Sequence, residues 1–108
     1  MIAVQLHERE PGIQAFAIGW PGVPPKGTPD PQILEWIATN NCFLITNNRV
    51  RMPGHLRDYL KTGKHIPGIF ITPFPLYIGS LIEELILLWG ASLPSEFQDQ
   101  IIYLPLGR

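Results

Sequence analysis

The run ITNNRVRMPGH, residues 45 to 55, gathers the side chains most able to do chemistry in this chain. An apolar stretch ends at Thr46, two neutral amides follow at Asn47 and Asn48, and then come Arg49, Arg51 and His55. The cations continue through Arg57, Lys61 and Lys64, so that five positive side chains stand against one acid, Asp58, between residues 47 and 65. This local excess of four charges sits in a chain of net charge −1, which leaves −5 for the remainder. Clustered cations of this kind can hold a phosphate backbone. Arg57, Lys61 and Lys64 fall at i, i+4 and i+7, one face of a helix. A solvated face is the plainer reading of the same stripe.

The other reactive residue types lack the company that chemistry needs. His7, His55 and His65 have no second ligand at metal spacing and read as structural or surface residues. Cys42 opens an apolar run with no catalytic motif around it, the position of a small core residue. It is the one cysteine of the chain, which excludes an internal disulfide and a multi-cysteine zinc site and fits a reducing, cytoplasmic setting. Ser80 precedes Glu83 by three positions, a helix-capping box and not a strained nucleophile elbow. Trp20 stands in a proline-rich loop, where a ring could stack on a base or anchor a partner, with packing over the loop as the plainer role.

These residues need a scaffold, and the apolar pattern supplies one. At 108 residues, 45% hydrophobic and 16% charged, the chain is expected to fold as one domain, 1 to 108, with a core of its own. Its longest apolar stretch, LIEELILLW, is too short to span a bilayer and carries two glutamates, so no membrane role is expected. The opening MIAVQLHERE has no basic start and does not read as a signal peptide. Four runs of strand length are expected at 13 to 19, 42 to 46, 68 to 72 and 100 to 105, near-continuously apolar as in a sheet covered on both faces. Helices are expected between and before them. AVQLHERE stops at Pro11 and Gly12. DPQILEWIATNN has Asp30 as an N-cap and Pro31 in its first turn, with Ile33, Leu34, Trp36 and Ile37 as an apolar stripe. PGHLRDYLKTG runs from Pro53 to Gly63. SLIEELILLWG, capped by Ser80 and closed by Gly90, is apolar nearly all round and belongs in the core or at a subunit interface. Residues 19 to 31 hold five prolines and three glycines and must be a loop.

Taken together, REPGIQ, TPDPQILEWIA, FLIT followed by a polar pair, MP, IPGIFIT, IGSLIEELILL and YLPL resemble bacterial PIN-like domains related to VapC-type toxins, over residues 6 to 106. The resemblance implies a three-layer α/β/α fold with a mostly parallel sheet of about four strands. It also implies magnesium- or manganese-dependent RNA cleavage by carboxylates at one sheet edge. Hard cations take oxygen ligands, and the charge of those ligands lets the metal acidify a water and clamp a phosphate.

Two departures bear on that chemistry. Relatives begin with a further strand ending in an acid, which is missing here, and they carry an aspartate where this chain has Asn48. The retained acids are Asp30 and, further along the same helix, Glu35; these are the metal candidates, with Asp30 and Asn48 in the catalytic positions. Arg49, Arg51, Arg57, Lys61 and Lys64 are the nucleic-acid candidates. Asparagine brings no charge to a cation, so the resemblance implies a degenerate domain, catalytically impaired, that acts as a binding or interaction module without a cofactor. Two alternatives stay open. One is a ribonuclease toxin using magnesium or manganese, its site completed by a partner chain or an upstream segment; the other is a purely structural homodimer. Loss of a middle strand leaves sheet edges unpaired, and open edges invite another chain. A homodimer is therefore expected, with an antitoxin-like protein or weakly bound RNA as further partners.

Overall fold

The computed structural model describes residues 2–73 and 75–105. Leu106, the last residue of the resemblance, lies outside them. The element order is α1 (Ile2–Arg9), α2 (Asp30–Asn40), β1 (Leu44–Thr46), α3 (Met52–Leu60), β2 (Ile69–Ile71), α4 (Ile78–Ala91), a 3₁₀ turn (Pro94–Phe97) and β3 (Ile101–Tyr103). The fold is mixed α/β, with a three-stranded parallel sheet in the order β1-β2-β3.

Side chains alternate across that sheet. Leu44, Ile69 and Ile71 enter one core together with Leu34 and Ile37 of α2 and Met52 and Leu56 of α3. Phe70 enters the other, with Leu6 of α1 and Leu81, Ile82 and Leu85 of α4. Both faces of β2 are covered, which explains its unbroken IFI run. Ile69 and Ile71 are wholly inaccessible to solvent. Truncating either to alanine is expected to cost on the order of 2–5 kcal/mol. Both crossover connections step the same way across the sheet, yet α3 lies on one face and α4 on the other. The two crossovers are therefore of opposite hand, and one is the uncommon left-handed kind.

Gly68 opens β2 where no side chain fits. A Cβ there would stand 2.9 Å from the Phe97 carbonyl oxygen and 3.1 Å from the Phe43 ring. Phe43, Phe70 and Phe97 close around this point with ring centroids 5.3–6.0 Å apart.

Three local expectations change. The run 13 to 19 forms no strand: its backbone makes short-range bonds, with the Ile13 N–H donating to Glu10, the Gly19 N–H donating to Pro24 and the Ala17 carbonyl accepting from the Trp20 N–H. Ile13 and Ala15 pack on the core beside α4, while Phe16 meets Trp36 of α2, so the segment carries the chain from one sheet face to the other. The described residues thus hold three strands where four were expected. Second, Asp30 is the first residue of α2, behind Pro29, and makes no capping bond. Third, α4 begins at Ile78, two residues before Ser80, so the capping box is not formed, and it runs past Gly90 to Ala91. No helix among the described residues is long and apolar enough to cross a membrane.

Candidate functional site

The carboxyl end of β1 meets the amino ends of α2 and α3, and three of their side chains converge there. Asn48 donates from Nδ2 to Oδ2 of Asp30 at 2.7 Å. Its Oδ1 accepts the backbone N–H of Arg51 at 3.2 Å, and its own backbone carbonyl accepts that of Met52. Asn48 thereby ties the turn before α3 to the start of α2. The Thr46 hydroxyl accepts the Asn48 N–H at 3.2 Å and fixes the residue from the strand side. Rotating the amide by half a turn would aim its oxygen at a carboxylate and its NH2 at an N–H, so both partners dictate the same orientation.

His55, from the first turn and a half of α3, brings Nε2 to 3.5 Å from the same Asp30 oxygen. Asp30 is one-quarter exposed and His55 one-third. Sequence reasoning treated this histidine as a lone residue. The signal that pairs it with Asp30 is positional, since both lie near the starts of neighbouring helices.

Glu35 is not brought to this corner. Its Oε2 accepts the Tyr59 hydroxyl at 2.5 Å, and Lys64 Nζ lies 3.2 Å from Oε1. The tyrosine hydroxyl, ahead of the Lys64 ammonium, holds the Glu35 carboxyl below its ordinary range. Tyr59 in turn is pushed up to about 12, first by desolvation and then by its bond to Glu35. Five residues of helix turn a side chain through about 140° from its starting direction, so Asp30 and Glu35 cannot share a ligand.

One carboxylate and one imidazole face the corner, and the amide presents its NH2 to Asp30 while its oxygen serves the backbone. Among the described residues no group of three or more His, Cys, Asp or Glu side chains converges.

The basic residues divide. Lys64 is committed to Glu35, and Arg57 stands 3.6 Å from its neighbour Asp58. Arg49, Arg51 and Lys61 are exposed and have no ion-pair partner among the described residues. The two arginines flank Val50, 86% exposed, on the turn just beyond Asn48.

His65 lies at the opposite end of the sheet. Its Nδ1 meets Asp99 Oδ2 at 2.6 Å, and Asp99 Oδ1 accepts the Ile66 N–H at 2.8 Å. Asp99 holds this position in the left-handed region, at φ +62, which aspartate tolerates better than most side chains. This pair joins the entries of β2 and β3, and only that tolerance could have hinted at it in the sequence. Cys42 packs against the first core, and burial raises its thiol pKa. No protein-family model, curated protein or solved structure matches this chain.

Proposed function

We propose that this chain is a degenerate PIN-like domain, of three-layer α/β/α type, that binds RNA through its basic turn without cutting it. The observation that carries the reading is the 2.7 Å bond from Asn48 Nδ2 to Asp30. An N–H directed at the acid occupies the oxygen that a cation would need, and it lowers the negative field on which metal-dependent phosphoryl chemistry relies. Arg49 and Arg51 support the binding half of the proposal, as exposed cations on the turn beside that corner with no ion-pair partner among the described residues.

The test uses the full chain and a labelled single-stranded RNA. Anisotropy at low salt should show affinity that falls steeply as salt rises, and replacing Arg49 and Arg51 together by alanine should lower the log–log salt slope by roughly 1–2. Incubation with magnesium or manganese should give no cleavage above that of Asp30→Ala. Manganese-dependent cleavage that the Asp30 substitution abolishes would restore the ribonuclease reading. Undetectable binding at low salt would reduce the cations to a solvated face.

A homodimer is a second reading, favoured by the outer surface of α4 and the turn after it, where Leu87 and Leu93 are 70% and 67% exposed. Light scattering at micromolar concentration should then give twice the chain mass of 12.2 kDa, and Leu87→Glu should return the monomer.

A further inference from the structure

A second concave site, remote in sequence from the Asp30 corner, lies between α1 and the segment that follows it. It is an open concavity of about 480 Å³. Phe16 and Trp20 form part of its wall. Phe16 is 53% exposed, and it rests edge-on against Trp36 with centroids 6.5 Å apart. It is thus a supported aromatic surface open to solvent.

The polar groups of the cavity include one that only accepts, the Glu8 carboxylate. His7 and Glu8 line it from α1, and Gln14 joins them from the following segment. His7 Nδ1 lies 3.2 Å from the carbonyl oxygen of Ile13. A carbonyl only accepts, so Nδ1 carries the hydrogen. A Glu8 carboxylate likewise only accepts, and it has no ion-pair partner among the described residues. Aromatic faces bordered by an acceptor suit a flat ring with N–H groups along its edge. An alkylammonium head group would satisfy the carboxylate and rings but would leave most of the cavity unfilled. Lys26 adds a cation to the same neighbourhood, its side-chain carbons lying 3.3–3.8 Å from the Cβ position of Gly19, next to Trp20.

We propose that this cavity binds a nucleobase of the guanine type, stacked on Phe16 and Trp20 with its adjacent N–H donors directed to Glu8. A carboxylate accepts two parallel hydrogen bonds, and guanine offers two neighbouring N–H donors on its pairing edge, whereas uracil offers one. The inference goes beyond the RNA-binding reading, because none of the corner or basic-turn residues takes part and the ring can belong to a free nucleotide or to a strand.

The experiment is a titration of the full isotope-labelled chain with guanosine, adenosine, cytidine and uridine monophosphates, followed at the Trp20 indole N–H and the Gln14 amide. Saturable shifts at both are expected, with guanosine monophosphate bound roughly 10-fold more tightly than uridine monophosphate. Glu8→Gln should remove that preference. Phe16→Leu, which keeps an apolar side chain on Trp36 but no ring, should weaken every base by roughly 5-fold or more. A short single-stranded RNA with one guanosine separates the two sources: tighter binding than the monophosphate assigns the cavity to a strand, equal binding to a free nucleotide. The proposal is overturned if no shift saturates at millimolar nucleotide, if Glu8→Gln leaves the order of bases unchanged, or if tetramethylammonium produces the same shifts at lower concentration.

Discussion

The two ends of the seam between α2 and α3 carry one acid each, and the acids live differently. Asp30, at the start of α2, is one-quarter exposed and meets a neutral amide and an imidazole. Glu35, further along, is half exposed and meets a phenol and an ammonium. Asp30 is engaged in joining three elements, since its partner Asn48 also holds the strand end and the turn before α3. Glu35 belongs to a surface cluster whose charges solvent screens. The contrast shows that an acid's surroundings set its role: the less exposed one here is a structural acceptor, and the better paired one is peripheral.

The strongest way to break the comparison is to give the first end the charge it lacks. Asn48→Asp would place two carboxylates within about 3 Å, with the donor to Asp30 gone. We expect a loss of about 2–3 kcal/mol at neutral pH, read from urea unfolding. Repulsion raises the folded pKa of the pair above its unfolded value. The variant therefore regains stability relative to the parent as pH falls through the carboxylate range, and the deficit is full above it. Manganese should raise the variant's unfolding midpoint and leave the parent's unchanged. Equal stabilisation of both would mean that the parent corner already takes a cation.

A smaller effect sharpens the same contrast. Asp30→Ala leaves the half-buried Asn48 Nδ2 without its acceptor, at an expected cost of about 1–2 kcal/mol. Glu35→Ala leaves exposed partners that water can satisfy, and its unfolding midpoint should fall by less than that of Asp30→Ala. Midpoints that shift equally would erase the distinction between the two ends.

Much of this arrangement was legible in the sequence, and the omissions have physical causes. The parallel sheet followed from apolar runs alternating with helical stripes, and β1, β2 and β3 lie inside the expected runs. The run 13 to 19 reads as a strand because Ile13 and Ala15 are partly buried and Phe16 is ring-packed, but packing without a backbone ladder leaves the same apolar signature. The cap before α2 failed because a proline intervened: Pro29 holds the N-cap place, which moves Asp30 into the helix. At the candidate site, the sequence singled out the residues after Thr46, and Asn48 among them meets Asp30. What could not be read was the hydrogen bond from Asn48 to Asp30 and the approach of His55, because these depend on how two helices align, and local pattern carries no register between helices. Grouping Glu35 with Asp30 neglected rotation about the helix axis.

The subtlest consequence lies in how Glu35 and Tyr59 titrate. The tyrosine hydroxyl is the main cause of Glu35's lowered pKa, with Lys64 second. Tyr59→Phe should therefore let Glu35 rise toward its ordinary value, with Lys64 keeping part of the depression; its side-chain carboxyl carbon, followed by NMR, reports this. In the parent, a lowered folded pKa means that Glu35 contributes its full stability above the ordinary carboxylate range and loses it as pH falls through the lowered value. Parent and Tyr59→Phe stabilities should accordingly converge in acid. The reciprocal change is unequal, because Tyr59 owes its rise to about 12 to desolvation first and to Glu35 second. Glu35→Gln should lower the tyrosinate midpoint yet leave it above the ordinary 10. A fall all the way to 10 would show that the carboxylate alone perturbs the phenol, and the seam's outer end would then be governed by one bond, as its inner end is by the amide of Asn48.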